Sequence, residues 1–135
     1  MESFAWYSLQ YLQQRFAISV KWRNSYFYTD AVVVCGEPEF DDEKIKDTVE
    51  NPVIIFEILS SVKMLEKKLM YYMQIQSLKQ YIIIDSTKIH VRVVTRREEE
   101  GTWTFSELMM PEERLFIEPI DLGISVVDLY EGVNL

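Results

Sequence analysis

The chain holds one cysteine, Cys35, and one histidine, His90, among its 135 residues. A lone cysteine cannot close an internal disulfide, and with a single histidine it cannot build a tetrahedral zinc site. Structural zinc is thereby excluded. Positive charge is also scarce: 14 Lys and Arg stand against 22 Asp and Glu, a formal charge of −8. Neutralising phosphates needs clustered cations, so broad nonspecific nucleic-acid binding is disfavoured. Much of the deficit lies in one segment, where Glu37, Glu39, Asp41, Asp42, Glu43, Asp47 and Glu50 face only Lys44 and Lys46. A local basic surface elsewhere therefore stays open. No apolar run approaches the ~20 residues of a membrane span. The opening Met1-Glu2-Ser3-Phe4-Ala5-Trp6-Tyr7 has no basic region leading into an apolar stretch, so a cytoplasmic protein without membrane contact is expected. No internal repeat or low-complexity linker interrupts the chain.

What is present is a core. The hydrophobic fraction of 48% with 13% aromatics is that of a globular chain, and the length suits one domain over 1–135. Residues 3–15 read as a helix, with an apolar recurrence at Tyr7, Leu9, Tyr11 and Leu12 that fits the stripe in part. Phe16 to Lys21 and Ser25 to Cys35 read as two strands of a hairpin turning near Arg23-Asn24. Gly36 to Asn51 is an acidic loop punctuated by Pro38. Ser60-Ser61 offers an N-cap for a helix over 62–76, which contains neither Gly nor Pro. Strands follow at Gln80 to Asp85, Ile89 to Thr95 and Thr102 to Leu108, with turns at Ser86-Thr87-Lys88 and Arg96 to Gly101. Leu122 to Leu129 resembles a short final helix. These elements predict an α/β fold, a mixed central sheet flanked by helices.

One residue breaks the pattern. In Asn51-Pro52-Val53-Ile54-Ile55-Phe56-Glu57-Ile58-Leu59-Ser60 a carboxylate sits within a strand apolar on both faces. Such a strand is covered on both sides, so Glu57 must find a proton, a partner or a metal ion. Placing residues 62–76 on a wheel at about 100° per residue gathers Val62, Leu65, Leu69, Tyr72 and Met73 on one side, with Met64, Tyr71 and Ile75 adjoining. Lys68 falls inside that arc, whereas Lys63, Glu66, Lys67 and Gln74 lie opposite. An inward lysine needs an anion, and the strand just before the helix supplies Glu57. Asp30 opens the apolar run Ala31-Val32-Val33-Val34-Cys35. Two carboxylates and a lysine at one end of a sheet make a candidate divalent-metal site, to which the Ile58 carbonyl could add a ligand. Phosphodiester hydrolysis uses such a set: hard oxygens hold Mg2+ or Mn2+, and a lysine positions the nucleophile or stabilises charge.

Four blocks then carry a resemblance: Tyr28-Thr29-Asp30-Ala31-Val32-Val33-Val34-Cys35-Gly36-Glu37-Pro38-Glu39-Phe40, the Asn51 to Ser60 strand, Gln74-Ile75-Gln76-Ser77-Leu78-Lys79-Gln80-Tyr81, and Asp128-Leu129-Tyr130-Glu131-Gly132-Val133. Together they resemble the Uma2 family of restriction endonuclease-like proteins, within the PD-(D/E)XK nuclease superfamily, from about Phe16 onward. The resemblance implies a Mg2+-dependent DNA endonuclease in which Asp30 and Glu57 bind the metal. It also implies that Lys68 is the family's lysine, moved from the strand to the next helix, because Leu59 stands where the usual motif places it. Thr29 replaces the usual proline before the aspartate, the stretch from Ser60 to Lys68 is about three residues short, and the N-terminal part of the pattern is lacking.

Those departures keep a second expectation open: a truncated, inactive nuclease-fold protein that binds a partner or assembles. A homodimer covering an exposed sheet edge would suit it. Each residue also has a plainer role available. Glu57 and Lys68 could pair for stability alone, Asp30 could cap a turn, and Lys68 could lay its stem over apolar neighbours. His90 is expected to face solvent and Cys35 to be a small buried side chain. Tyr26-Phe27-Tyr28 is expected to serve packing before base stacking.

Overall fold

The computed structural model describes residues 16–20, 25–42, 44, 48–60, 65–133 and 135. The expected helix over 3–15, the turn near Arg23-Asn24 and the cap at Ser61 lie outside the described residues. Strands β1 (Phe16–Val20) and β2 (Ser25–Thr29) pair antiparallel as the expected hairpin, Ile18 opposite Phe27. The single strand expected from Ser25 to Cys35 is two. It breaks at Asp30, and β3 (Ala31–Val33) leaves for a different sheet. A run of side-chain character does not reveal a change of hydrogen-bonding partner, so the break was invisible in the pattern. Within the acidic loop a two-residue strand, β4 (Thr48–Val49), adds in parallel to β1.

The central sheet has five strands in the order β3, β5 (Ile54–Leu59), β6 (Gln80–Asp85), β7 (Val91–Arg97), β8 (Thr102–Leu108). β5 and β6 run parallel and the other pairs antiparallel, so the sheet is mixed as expected. The parallel pair needs a crossover, which carries α1 (Leu65–Tyr72). Two cores cover the sheet. On the α1 side Ile55, Ile83 and Val94 pack with Tyr72, Tyr81 and Ile18. On the other side Ile54, Ile82, Val91 and Val93 pack with Leu115, Ile117 and Val126. This double burial explains why β5 and β6 read as continuous apolar runs.

α1 ends at Tyr72, four residues before the expected limit. Gln74 and Ile75 donate their amides to the carbonyls three residues back, Tyr71 and Tyr72, which tightens the last turn. The Arg96 guanidinium then donates to the Ile75 and Leu78 carbonyls at 2.7 Å each and lies over the Trp103 ring. Arg96 thus closes the segment between helix and β6. Arg96→Ala is expected to cost about 2 kcal/mol, since hydrogen bonds from a charged donor are lost. Arg96→Lys should recover less than half, because an ammonium cannot fork to two carbonyls. Urea midpoints measure both, and an alanine variant within ~0.5 kcal/mol of wild type would refute this role.

The final segment also differs from expectation. Leu122–Ser125 is a strand, β10, paired antiparallel with β9 (Arg114–Ile117), and only Val126–Leu129 forms a helix, α2. A 3-10 turn over Glu118–Ile120 and a left-handed Asp121 at φ 52° reverse the chain between the strands. Aspartate tolerates that conformation better than most residues.

Candidate active site

β5 delivers Glu57 to the α1 face of the sheet, in step with Ile55. The carboxylate is 1% exposed. Lys68, the fourth residue of α1, donates from Nζ to Glu57 Oε1 at 2.6 Å and to the Tyr28 carbonyl at 3.0 Å. Helical spacing puts Lys68 beside half-buried Leu65 and Leu69 on the face turned to the sheet, over Glu57. Of the arc expected from the wheel, Leu65, Leu69, Tyr71 and Tyr72 pack into the core from α1 and Ile75 from just beyond it, Met73 also lies past the end of the helix, and Val62 and Met64 lie outside the described residues.

Two further donors were not anticipated. The Tyr72 hydroxyl donates to Glu57 Oε1 at 3.4 Å, and the Tyr81 hydroxyl donates to Oε2 at 2.5 Å. Both tyrosines are fully buried, with rings edge to face at 5.0 Å and 87°. Burial first, and then the Glu57 carboxylate, push both phenols well above their usual range, so each stays a neutral donor. Hydropathy counted these rings as core. The signal that was available is chemical: a tyrosine at a fully buried site needs an acceptor, where phenylalanine would not.

Asp30 stands at the break between β2 and β3. Its Oδ2 accepts the Ile58 amide at 2.7 Å. The Ala31–Phe56 register sets it level with the end of β5. Its charge also acts on the Tyr72 and Tyr81 hydroxyls, so both carboxylates share one electrostatic neighbourhood. A strand residue's N–H and C=O leave the same edge, so the Ile58 carbonyl shares the edge that holds Asp30. Thr29, at the position where proline is usual, is buried and donates its hydroxyl to the Phe56 carbonyl at 2.8 Å. It stitches the β2 end to β5 just before Asp30.

Three of the roughly four acceptor positions of the Glu57 carboxylate are filled among the described residues, leaving one on Oε2. Formal charges of two carboxylates and one ammonium leave one negative charge. The donors, two carboxylates and a main-chain carbonyl, are hard oxygens of the kind that suit Mg2+ or Mn2+. No group of three or more His, Cys, Asp or Glu side chains is gathered for a metal among the described residues. A cation here would complete its shell with water, as Mg2+ commonly does.

Cys35 and His90 lie apart from this centre, and both depart from expectation. Cys35 is exposed, just past β3. His90 is buried; the Tyr130 hydroxyl accepts its amide at 3.2 Å and its ring pairs with Glu107 at 2.8 Å. Of the tyrosine cluster, Phe27 packs against Tyr71 and Tyr72, while Tyr26 and Tyr28 are exposed. Other residues of the four blocks hold loops. Asn51 bonds the Glu39 amide and the Glu37 carbonyl, and Tyr130 donates to the Asp85 carbonyl at 2.7 Å.

Comparison with known proteins bears on the family and the fold. The Uma2 family model, described as "Putative restriction endonuclease", matches residues 4–127. An uncharacterized protein of Synechocystis sp. is 35% identical over 88 residues, covering 63% of this chain and 49% of that protein. The chain thus spans about half the length of that curated relative. A crystal structure of "a putative nuclease belonging to DUF820" from Anabaena variabilis superposes with a TM-score of 0.70 at 16% identity, over 90% of this chain and 68% of the other. That likeness establishes the nuclease-like α/β fold.

Proposed function

The chain belongs to the Uma2 family, and from that premise we propose that it is a divalent-metal-dependent endonuclease hydrolysing DNA phosphodiester bonds. Asp30, Glu57 and the Ile58 carbonyl would hold Mg2+ or Mn2+. When bound, such a cation supplies charge neutralisation at phosphorus and makes a water more acidic. Lys68 contributes the rest: among the described residues two of its three donors go to Glu57 and the Tyr28 carbonyl, which leaves one N–H to orient the attacking water or a phosphate oxygen. Asp30, pinned by the Ile58 amide, fixes the outer carboxylate at the end of β5. The observation that carries this reading is the reach of Lys68 from the helix to Glu57, into the place that Leu59 on the strand cannot serve.

Purified protein incubated with supercoiled plasmid and Mg2+ is expected to nick or linearise it, and Glu57→Gln to reduce the rate at least about a hundredfold, as loss of charge at a metal site does. Cleavage that persists undiminished in the variant defeats the assignment. A second reading, an inactive nuclease-fold module that binds a partner, draws on the self-sufficiency of Glu57, whose charge Lys68 already balances. Calorimetry separates the two, because the module takes up neither Mg2+ nor Mn2+.

A further inference from the structure

We propose that Tyr72 and Tyr81 are positioning residues for this centre: their hydroxyls aim the Glu57 carboxylate and thereby set divalent-cation affinity and the rate of the metal-dependent step. This rests on the reading of Glu57 as a metal-site carboxylate. A glutamate in a buried strand has rotatable bonds that an apolar wall cannot fix, since dispersion has little direction. Here directional donors act on both oxygens. Tyr81 comes from β6, the neighbour of Glu57 in the sheet, and holds Oε2; Tyr72 and Lys68 come from α1, one turn apart, and hold Oε1. A carboxylate gripped at both oxygens from two elements keeps one orientation.

The rings themselves are immobilised. Tyr72 packs edge-on to both Tyr81 and Phe27, the latter at 5.8 Å and 77°. Neither hydroxyl oxygen can move away from Glu57 without breaking that packing, so the donors are held in place as a supporting shell around a metal ligand must be. The geometry also selects the free acceptor. Because Tyr81 is the one described partner of Oε2, its direction leaves the other lone pair of that oxygen as the remaining acceptor. Lys68 reaches only one of the two carboxylate oxygens, Oε1, and by itself would leave the carboxylate free to swing about that contact, although its own ammonium is also held by the Tyr28 carbonyl.

Tyr81→Phe and Tyr72→Phe each delete one hydroxyl and keep the ring. The full chain and both variants are titrated with Mn2+ by calorimetry, assayed on plasmid for kcat and KM, and melted. Tyr81→Phe is expected to weaken Mn2+ binding and lower kcat by about tenfold each, the scale of one hydrogen bond to a charged group, with KM for DNA unchanged within about twofold. Tyr72→Phe, which loses the longer contact, should show a smaller change in the same direction, and the double variant a larger one. If the variants melt lower but keep wild-type Mn2+ affinity and kcat well below their midpoints, the hydroxyls serve stability alone and the proposal is overturned. A wild type that takes up no Mn2+ overturns the metal reading together with this inference. A wild type that binds and cuts, with both variants unchanged, overturns this inference alone.

Discussion

Lys68→Met is expected to destabilise the fold by about 3 kcal/mol, because it removes the cation from a carboxylate buried beneath helix and sheet. Methionine fills the volume of the lysine stem, so the loss is electrostatic before it is steric. The two tyrosine hydroxyls still reach Glu57, but neutral donors do not balance its charge. The cell that identifies the cause is the double variant Glu57→Gln/Lys68→Met. Glutamine keeps an acceptor for the tyrosines and carries no charge, so the double variant should regain about 2 kcal/mol relative to Lys68→Met. Urea midpoints of the four proteins give the coupling directly. If Lys68→Met costs less than ~1 kcal/mol, the pair behaves as a solvent-exposed bridge and the burial of Glu57 has another explanation. Loss of nuclease activity in Lys68→Met cannot by itself separate chemistry from folding. The glutamine double variant can, since it restores the fold and still lacks both ionised groups.

How far the sequence reached depends on what each residue has to satisfy. Glu57 and Lys68 are legible because each violates a pattern, one in a strand apolar on both faces and the other in a helical arc, and two violations of opposite sign on adjacent elements answer each other. Tyr72 and Tyr81 violate nothing in hydropathy, so their second task, donating to that carboxylate, stayed hidden behind their rings. His90 and Cys35 were misplaced because their exposure is set by distant elements. Tyr130, forty residues on in sequence, covers the His90 backbone, whereas Cys35 lies past the end of β3 where the alternation no longer holds. The strand spacing of β6 and β8 was read correctly because their turns carry local chemistry: Asp85 accepts the Thr87 amide and hydroxyl, and Gly101 takes a positive φ of 67°. The first half of the expected final helix, Leu122–Ser125, is a strand because its state is set by a partner and not by its own residues. That partner is β9.

Asp30→Asn separates the proposed metal role from the scaffold more cleanly than any change at Glu57. Asp30 is only partly buried, and its described structural bond is the Ile58 amide at 2.7 Å, which an asparagine carbonyl oxygen can still accept. Stability should therefore change by less than ~1 kcal/mol, the net worth of an ordinary hydrogen bond. The formal charge of the cluster, by contrast, falls from one negative to zero once Glu57 is balanced by Lys68. A divalent cation then meets one carboxylate already holding an ammonium and one neutral amide, a poor set for a hard ion. Mn2+ binding should weaken by at least about a hundredfold and plasmid cleavage should fall with it, while the thermal midpoint stays near wild type. Calorimetry, the plasmid assay and a melting curve on one preparation make the comparison. Should Asp30→Asn bind Mn2+ as the wild type does, the cation lies elsewhere, and Asp30 serves only to close the seam where the chain passes from the β1–β2 hairpin to the central sheet. Should the variant instead melt far below wild type, the Ile58 contact is a larger part of the fold than one hydrogen bond accounts for. Asp30 would then belong with Glu57 and Lys68 as a residue whose charge the architecture itself requires.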